Sequence, residues 1–201
     1  MRIISGSKRG MKLLPPKNYD TRPITDRAKE SLFSVLYKYD VIEGGIVADL
    51  FCGTGSMGLE CLSRGAKWVT FGEKDAKVVE ILNKNIEKAV FVAESKVIRA
   101  NIFKIGAPLL PADMGSDKYN LVFVDPPYKM AYETGVESRL GKLLVMLCDQ
   151  VADGAIVVVR TNKRAELLES YGTLNIIDRR EWGTMAVTLL ENSGREVERA
   201  E

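Results

Sequence analysis

Beyond Gly44-Gly45 the chain alternates short apolar runs with stretches of helical periodicity. Ile46–Phe51 reads as a buried strand, and Ser56–Arg64 as a helix closed by Gly65. Trp68–Gly72 predicts a second strand, and Asp75–Ala89 a helix with Val78, Ile81, Leu82 and Ile86 on one face. Lys96–Arg99 predicts a third strand, followed by a segment without clear pattern through Gly115. Tyr119–Val124 is a strongly apolar fourth strand. A helix is expected over Val136–Cys148, and further strands over Ala155–Val159, Leu174–Arg179 and Met185–Leu190. Ahead of all this, Arg2–Ser5 and Met11–Leu14 flank a turn of Gly, Ser and Lys, which predicts a short hairpin ended by Pro15-Pro16. Thr25 is then placed to cap a helix, with Asp26 in its first turn and Ala28, Leu32, Val35 and Leu36 in an apolar stripe.

This order of elements implies an α/β fold. A mostly parallel sheet of seven strands would carry helices on both faces, with a small N-terminal hairpin and helix added. The expected division is residues 1–40 as the N-terminal extension, 41–191 as the main domain and 192–201 as a charged, frayed tail. Ligands of such sheets bind beyond the carboxyl ends of the strands, near the switch in strand order. The loops after the first four strands are therefore where chemistry is to be sought.

Composition narrows that chemistry. The 201 residues are 46% hydrophobic and 28% charged, and no apolar run is long enough to span a bilayer, so the expectation is a soluble cytoplasmic protein. Histidine is absent, which removes the commonest general base and transition-metal ligand, and no metal site is expected. The three cysteines, Cys52, Cys61 and Cys148, form no C-x-x-C pair and are expected reduced and mostly buried. The net charge is only +2, but Arg2, Lys8, Arg9, Lys12 and Lys17 all precede the first acidic residue, Asp20, and Arg22, Arg27 and Lys29 follow. A basic arm on a nearly neutral body points to a polyanionic partner.

The first loop, Asp49-Leu50-Phe51-Cys52-Gly53-Thr54-Gly55-Ser56-Met57-Gly58, fits G-x-G-x-x-G. Asp49 beside it would repel a pyrophosphate but tolerates the ammonium and sulfonium of S-adenosylmethionine. Glu73 follows by the roughly 20 residues expected of a carboxylate that accepts from ribose hydroxyls. After the third strand, Asn101 is a candidate for hydrogen bonds to adenine and Ile102 for packing on its ring. The most specific signal is Asp125-Pro126-Pro127-Tyr128 after the fourth strand. Pro127 removes the neighbouring amide donor, so the Pro126 carbonyl and the Asp125 carboxylate become two acceptors for one aromatic NH₂ group. Tyr128 offers a flat face on which a base can stack.

Together Asp49–Gly58 and Asp125–Tyr128 resemble the class I methyltransferases that act on amino groups. Arg22–Phe33 and Leu59–Ala66 narrow the resemblance to the RsmD family, bacterial enzymes that methylate guanine N2 in small-subunit (16S) ribosomal RNA. It extends from Met1 to about Leu190 and includes Trp182-Gly183. The resemblance implies S-adenosyl-L-methionine as cofactor, held by Asp49, Phe51, Gly53, Gly55, Glu73, Lys74, Asn101 and Ile102. It implies Asp125, Pro126, Pro127 and Tyr128 as the catalytic set. Ribosomal RNA, within the small subunit or its precursor, would meet Arg2, Lys8, Arg9, Lys12, Arg22 and Thr25, and the enzyme would act as a monomer. The chain departs from the family at Asn101, where an acidic residue is usual, and at Cys52 and Thr54, where Ala and Ser are commoner.

The motifs leave alternatives open. An adenine-N6 methyltransferase would use the same acceptor pair, and a non-catalytic RNA-binding protein would share the scaffold. A nicotinamide-dependent oxidoreductase would share the glycine loop and Glu73. A cytosine-C5 enzyme needs a nucleophilic cysteine near the fourth loop, and none is there.

Overall fold

A computed structural model describes residues 1–16 and 24–194. Its elements are α1 (Asp26–Leu36), β1 (Ile46–Leu50), α2 (Ser56–Ser63), β2 (Trp68–Glu73), α3 (Ala76–Ala89), β3 (Ser95–Arg99) and α4 (Ile102–Ile105). There follow β4 (Tyr119–Val124), α5 (Arg139–Leu147), β5 (Val151–Asn162), β6 (Ser170–Tyr171), β7 (Leu174–Trp182) and β8 (Met185–Asn192). The strands form one sheet in the order β3-β2-β1-β4-β5-β8-β7-β6. The pairings from β3 across to β5 are parallel, and β8, β7 and β6 add antiparallel ones. The sheet thus has the expected Rossmann-like, mostly parallel architecture, but eight strands instead of seven. The extra one is the two-residue β6, too short for a period-2 signal.

Alternation in the central strands divides the core. Leu121 and Phe123 of β4 and Ile156 and Val158 of β5 pack on one face with Leu32 and Phe33 of α1, Leu59 of α2 and Leu82 of α3. Val122, Val124, Val157 and Val159 pack on the other with Leu140, Leu143, Leu144 and Leu147 of α5. Burial on both faces explains why these strands read as nearly continuous apolar runs. β1 lies between β2 and β4, so the order reverses between β1 and β4. The loops after those two strands flank the switch point, where this architecture binds ligands.

The N-terminal hairpin is slighter than expected. It has one antiparallel bridge, Arg2 to Lys12, and backbone bonds from Ile3 N to Met11 O and from Leu13 N to Met1 O. It is nevertheless bound firmly to the body. Ile3 and Leu13 are buried in the core. Glu60 of α2 accepts from Ile4 N at 2.7 Å and Ser5 N at 3.0 Å. Buried Lys29 of α1 donates to Arg2 O at 2.7 Å and pairs with Glu60 at 3.2 Å. Other boundaries shift for local reasons. α5 begins at Arg139 because Ser138 accepts from Gly141 N and caps it. Asn192 is the buried end of β8, donating to Val151 O and Ala152 O, and is no part of a frayed tail. The cysteines are free, Cys61 buried and Cys52 and Cys148 half-buried. No helix among the described residues is long and apolar enough to cross a membrane.

Candidate active site

The loop after β1 turns sharply under the switch point. Gly55 caps α2 at φ 86°, and a Cβ there would stand 2.5 Å from Leu82 Cδ1. A Cβ on Gly58 would stand 2.4 Å from Phe71 Cε1, so the third glycine lets α2 lie close on β2. Phe51 also takes a positive φ, 58°, and its ring rests on Phe103 with centroids 4.9 Å apart. Glu73 fixes the loop from β2. It accepts from Gly53 N at 3.1 Å, Lys74 N at 2.7 Å and Asp75 N at 2.9 Å. Asn85, in the apolar face of α3, donates to Thr54 O at 3.0 Å and holds both the N–H and the carbonyl of Leu14.

Asp49 lies beneath this loop, 1% exposed. Among the described residues its one hydrogen bond comes from Gly58 N at 2.8 Å. Burial lifts its carboxyl to about 8, against the opposing effect of the Gly58 amide, and the charges of Asp125 and Glu73 push the same way. Three carboxylates thus converge on the switch point, and the Arg160 guanidinium, which pairs with Asp125, only partly offsets their charge at Asp49.

The loop after β4 is pinned to β1 by Asp125 N donating to Leu50 O at 3.3 Å. Pro126 is buried, and Tyr128 starts a 3₁₀ turn through Met130. Asp125 is partly exposed at the wall of an apolar pocket formed by Ile24, Leu32, Met57, Val158 and Val187. Arg160 of β5 grips it with two bonds of 2.6 Å, Nε to Oδ1 and Nη2 to Oδ2. Burial raises the Asp125 carboxyl above its ordinary value, and Arg160 works in the opposite direction.

The fold therefore gathers Asp49, Phe51, Gly53, Gly55, Glu73 and Asp125–Tyr128 at one end of the sheet. Lys74 is exposed beside Glu73. Asn101 precedes α4 without capping it by its side chain. Ile102 is 2% exposed, in the core among Leu50 and Val124, with its Cδ1 over Gly72. It supports the site from behind and offers no open surface for a ring.

The candidate RNA contacts are more dispersed. Arg2 pairs with Asp26 at 2.8 Å in an exposed position, and Thr25 caps α1 by accepting from Ala28 N. Arg22 lies outside the described residues. Lys8 N donates to Ser63 Oγ at the last turn of α2, and its ammonium sits 5.6 Å from the Phe91 ring. Because α2 starts at Ser56 and runs away from the glycine loop, Lys8 and Arg9 sit at the opposite end of the sheet, while Lys12 is nearer the hairpin's open end.

Arg160 escaped the sequence reading, although a signal existed. It ends the apolar run Ile156–Val159, and its parity with Ile156 and Val158 puts it on the face that Asp125 shares with Leu121 and Phe123. Asn85 left a similar trace, as a polar residue among Leu82, Ile86 and Ala89.

The residues present fit S-adenosylmethionine. The buried, once-bonded Asp49 has capacity for a cation. Gly53 leaves open space where a side chain would project, and among the described residues Glu73 Oε2 accepts from Gly53 alone. No group of three or more potential metal ligands occurs among the described residues.

Comparison with known proteins agrees. Residues 1–191 match the family model described as Conserved hypothetical protein 95. The chain is 30% identical to a putative rRNA methyltransferase, YlbH, of Bacillus subtilis, over 96% of this chain and all of that one. It is 40% identical to Ribosomal RNA small subunit methyltransferase D of Escherichia coli, over 64% of this chain and 61% of that one. It superimposes on the structure of the putative methyltransferase yhhF from Escherichia coli with a TM-score of 0.79, at 30% identity over 97% and 99% of the two chains.

Proposed function

The chain belongs to the Conserved hypothetical protein 95 family, the RsmD family, and from that premise we propose that it methylates the N2 amine of a guanine in small-subunit ribosomal RNA. The coarser statement, an S-adenosylmethionine-dependent ribosomal RNA methyltransferase, follows from the family. The observation that carries methylation of an exocyclic amine is Asp125-Pro126-Pro127-Tyr128 at the switch point, beside an apolar pocket and a carboxylate-rich loop, and the choice of guanine N2 rests on the family.

Asp49, Glu73 and the glycine loop would hold the cofactor, with Phe51, Lys74 and Asn101 around them. The cofactor, when bound, supplies a methyl group activated on a sulfonium. The protein's task is the nucleophile, because the lone pair of an exocyclic amine is delocalised into its ring. Asp125 and the Pro126 carbonyl each accept one N–H, which makes the amine more pyramidal and frees its lone pair. Arg160 occupies one acceptor site on each Asp125 oxygen and leaves the others for the amine. Tyr128 stacks on the extruded base, and Pro127 keeps the loop rigid. Orientation and preorganised charge supply most of the rate, and Asp125 takes the proton directly or through water. Arg2, Lys8, Arg9, Lys12, Arg22 and Thr25 would contact the RNA from the N-terminal extension.

The test is mass-spectrometric mapping of small-subunit RNA from cells with and without the protein. The expected result is one N2-methylguanine that disappears with the protein. Loss of an N6-methyladenine would refute the guanine assignment and keep the enzyme class.

A further inference from the structure

The pocket wall contains one ion pair, and its geometry is more demanding than charge neutralisation requires. Val124 of β4 is in register with Val159 of β5, so Asp125 and Arg160 are the next residues on neighbouring strands. Arg160 is still inside its strand, where it pairs with Val187 of β8. A side chain anchored in a paired strand moves little. Its guanidinium meets the carboxylate fork to fork, at 2.6 Å on both oxygens. Asp125, by contrast, lies one residue beyond the end of β4. The fork fixes the plane of a carboxylate that the loop alone would leave free to rotate.

We propose that Arg160 is the positioning residue of this site, holding the Asp125 carboxylate in the one orientation from which it accepts the N–H of the target amine. The proposal rests on the methyltransferase reading and adds a residue to its machinery. The charged groups facing Asp125 are Arg160 from β5 and Asp49 from β1, while α1, α2 and β8 present Leu32, Met57 and Val187. Arg160 is thus the positive charge that opposes the effect of burial on Asp125. Orientation and charge are separable, because lysine keeps the charge and lacks the fork.

The experiment uses the full chain, labelled S-adenosylmethionine and small-subunit particles from cells lacking the protein. In Arg160→Gln, kcat should fall about 100-fold, the scale of a displaced catalytic group. Cofactor affinity should stay within about threefold, since Arg160 lies outside the loops that would hold the cofactor. The acid limb of kcat/KM should move to higher pH, because Asp125 must be ionised to accept and has lost its cation. In Arg160→Lys, the acid limb should stay near its wild-type position while kcat falls about tenfold. Wild-type kcat in either variant would overturn the proposal. So would losses of activity that track losses of melting temperature and cofactor binding, which would mark a merely structural residue. If the wild-type protein is inert on the particles, the methyltransferase reading fails separately. The ion pair is then tested without RNA, by carboxyl-carbon NMR titration of Asp125. Identical midpoints in wild type and Arg160→Gln would overturn the role given to Arg160.

Discussion

Two carboxylates, Glu60 and Asp125, sit in ion pairs on the same face of the sheet and do opposite work. Glu60 is fully buried and receives four donors: Ile4 N, Ser5 N, Arg64 Nε and Lys29 Nζ. A carboxylate has about four acceptor sites, so the fold consumes all of them. Asp125 receives two bonds from Arg160 and stands 26% exposed at a pocket wall. The first is a structural clamp that joins the N-terminal hairpin to α2. The second has acceptor capacity left over, and it faces the place where a substrate would enter. Saturation of lone pairs separates the two roles better than burial or charge.

Removing each carboxylate should break the molecule in a different way. Asp125→Asn keeps the shape and one acceptor oxygen but removes the charge and the base. Methyl transfer should fall by about 10²–10⁴-fold, with cofactor binding retained. Substantial residual turnover would return Asp125 to the structural class. Glu60→Ala strands the buried Lys29 charge and two backbone amides. Burial already lowers the Lys29 pKa despite the proximity of Glu60, so without Glu60 the lysine is driven toward its neutral form. Loss of one partner from such a pair costs about 3–5 kcal/mol, readable by urea unfolding. At temperatures well below its transition the variant should still bind cofactor. If stability were unchanged, the clamp would be decorative.

The comparison also explains what the sequence made legible. The parallel strands showed because burial on both faces leaves only apolar residues, as in Tyr119–Val124. Asp49, Glu73 and Asp125 showed because a charge at the end of such a run is conspicuous. Glu60 and Lys29 did not. Each lies on an amphipathic helix, where a charged residue reads as solvent-facing, and only the tertiary contact between α1 and α2 buries them. Arg160 lies between these cases. Its parity was readable, but its partner depends on the β4–β5 register, which no local pattern encodes. The role of Ile102 was misjudged for the same reason, since its burial behind Gly72 depends on how α4 folds back. β6 and the end of β8 are set by hairpin contacts of two or three residues.

Asp49 sharpens the contrast, because its single hydrogen bond leaves it the least satisfied of the three. Its carboxyl is raised to about 8 in the folded chain against an ordinary 3.8. Between those values the folded state keeps a proton that the unfolded state has lost. Its contribution to stability is therefore present below pH about 4 and is lost as pH rises through about 8. A bound cation favours the ionised form, so cofactor binding should release a proton below pH 8, with affinity rising by up to about tenfold per pH unit. Calorimetry at pH 7 in buffers of different ionisation heat measures that proton directly. Asp49→Asn should abolish the release, and a wild-type complex that takes up or releases none would show that the cation is held elsewhere.

The smallest effect concerns what the Glu60 clamp holds in place. The clamp fixes a hairpin whose tip carries Lys8 and Arg9, and Lys12 follows on its return strand. α2 has eight residues, so the tip lies about 12 Å from the glycine loop along the helix. At that remove Lys8 and Arg9 contact no reacting atom, and a contribution of the three cations to RNA binding would come through phosphates. Replacing Lys8, Arg9 and Lys12 together by Gln removes three charges, each worth about 0.7 in the slope of log affinity against log salt on single strands. The slope should therefore flatten by about 2, and affinity should weaken most at low salt. At saturating RNA, kcat should match wild type, because Asp125 and Arg160 are untouched. The measurement is RNA binding across a salt series, paired with turnover at saturation. An unchanged slope would mean that the clamp holds the hairpin for the sake of the fold alone, through Ile3 and Leu13 in the core.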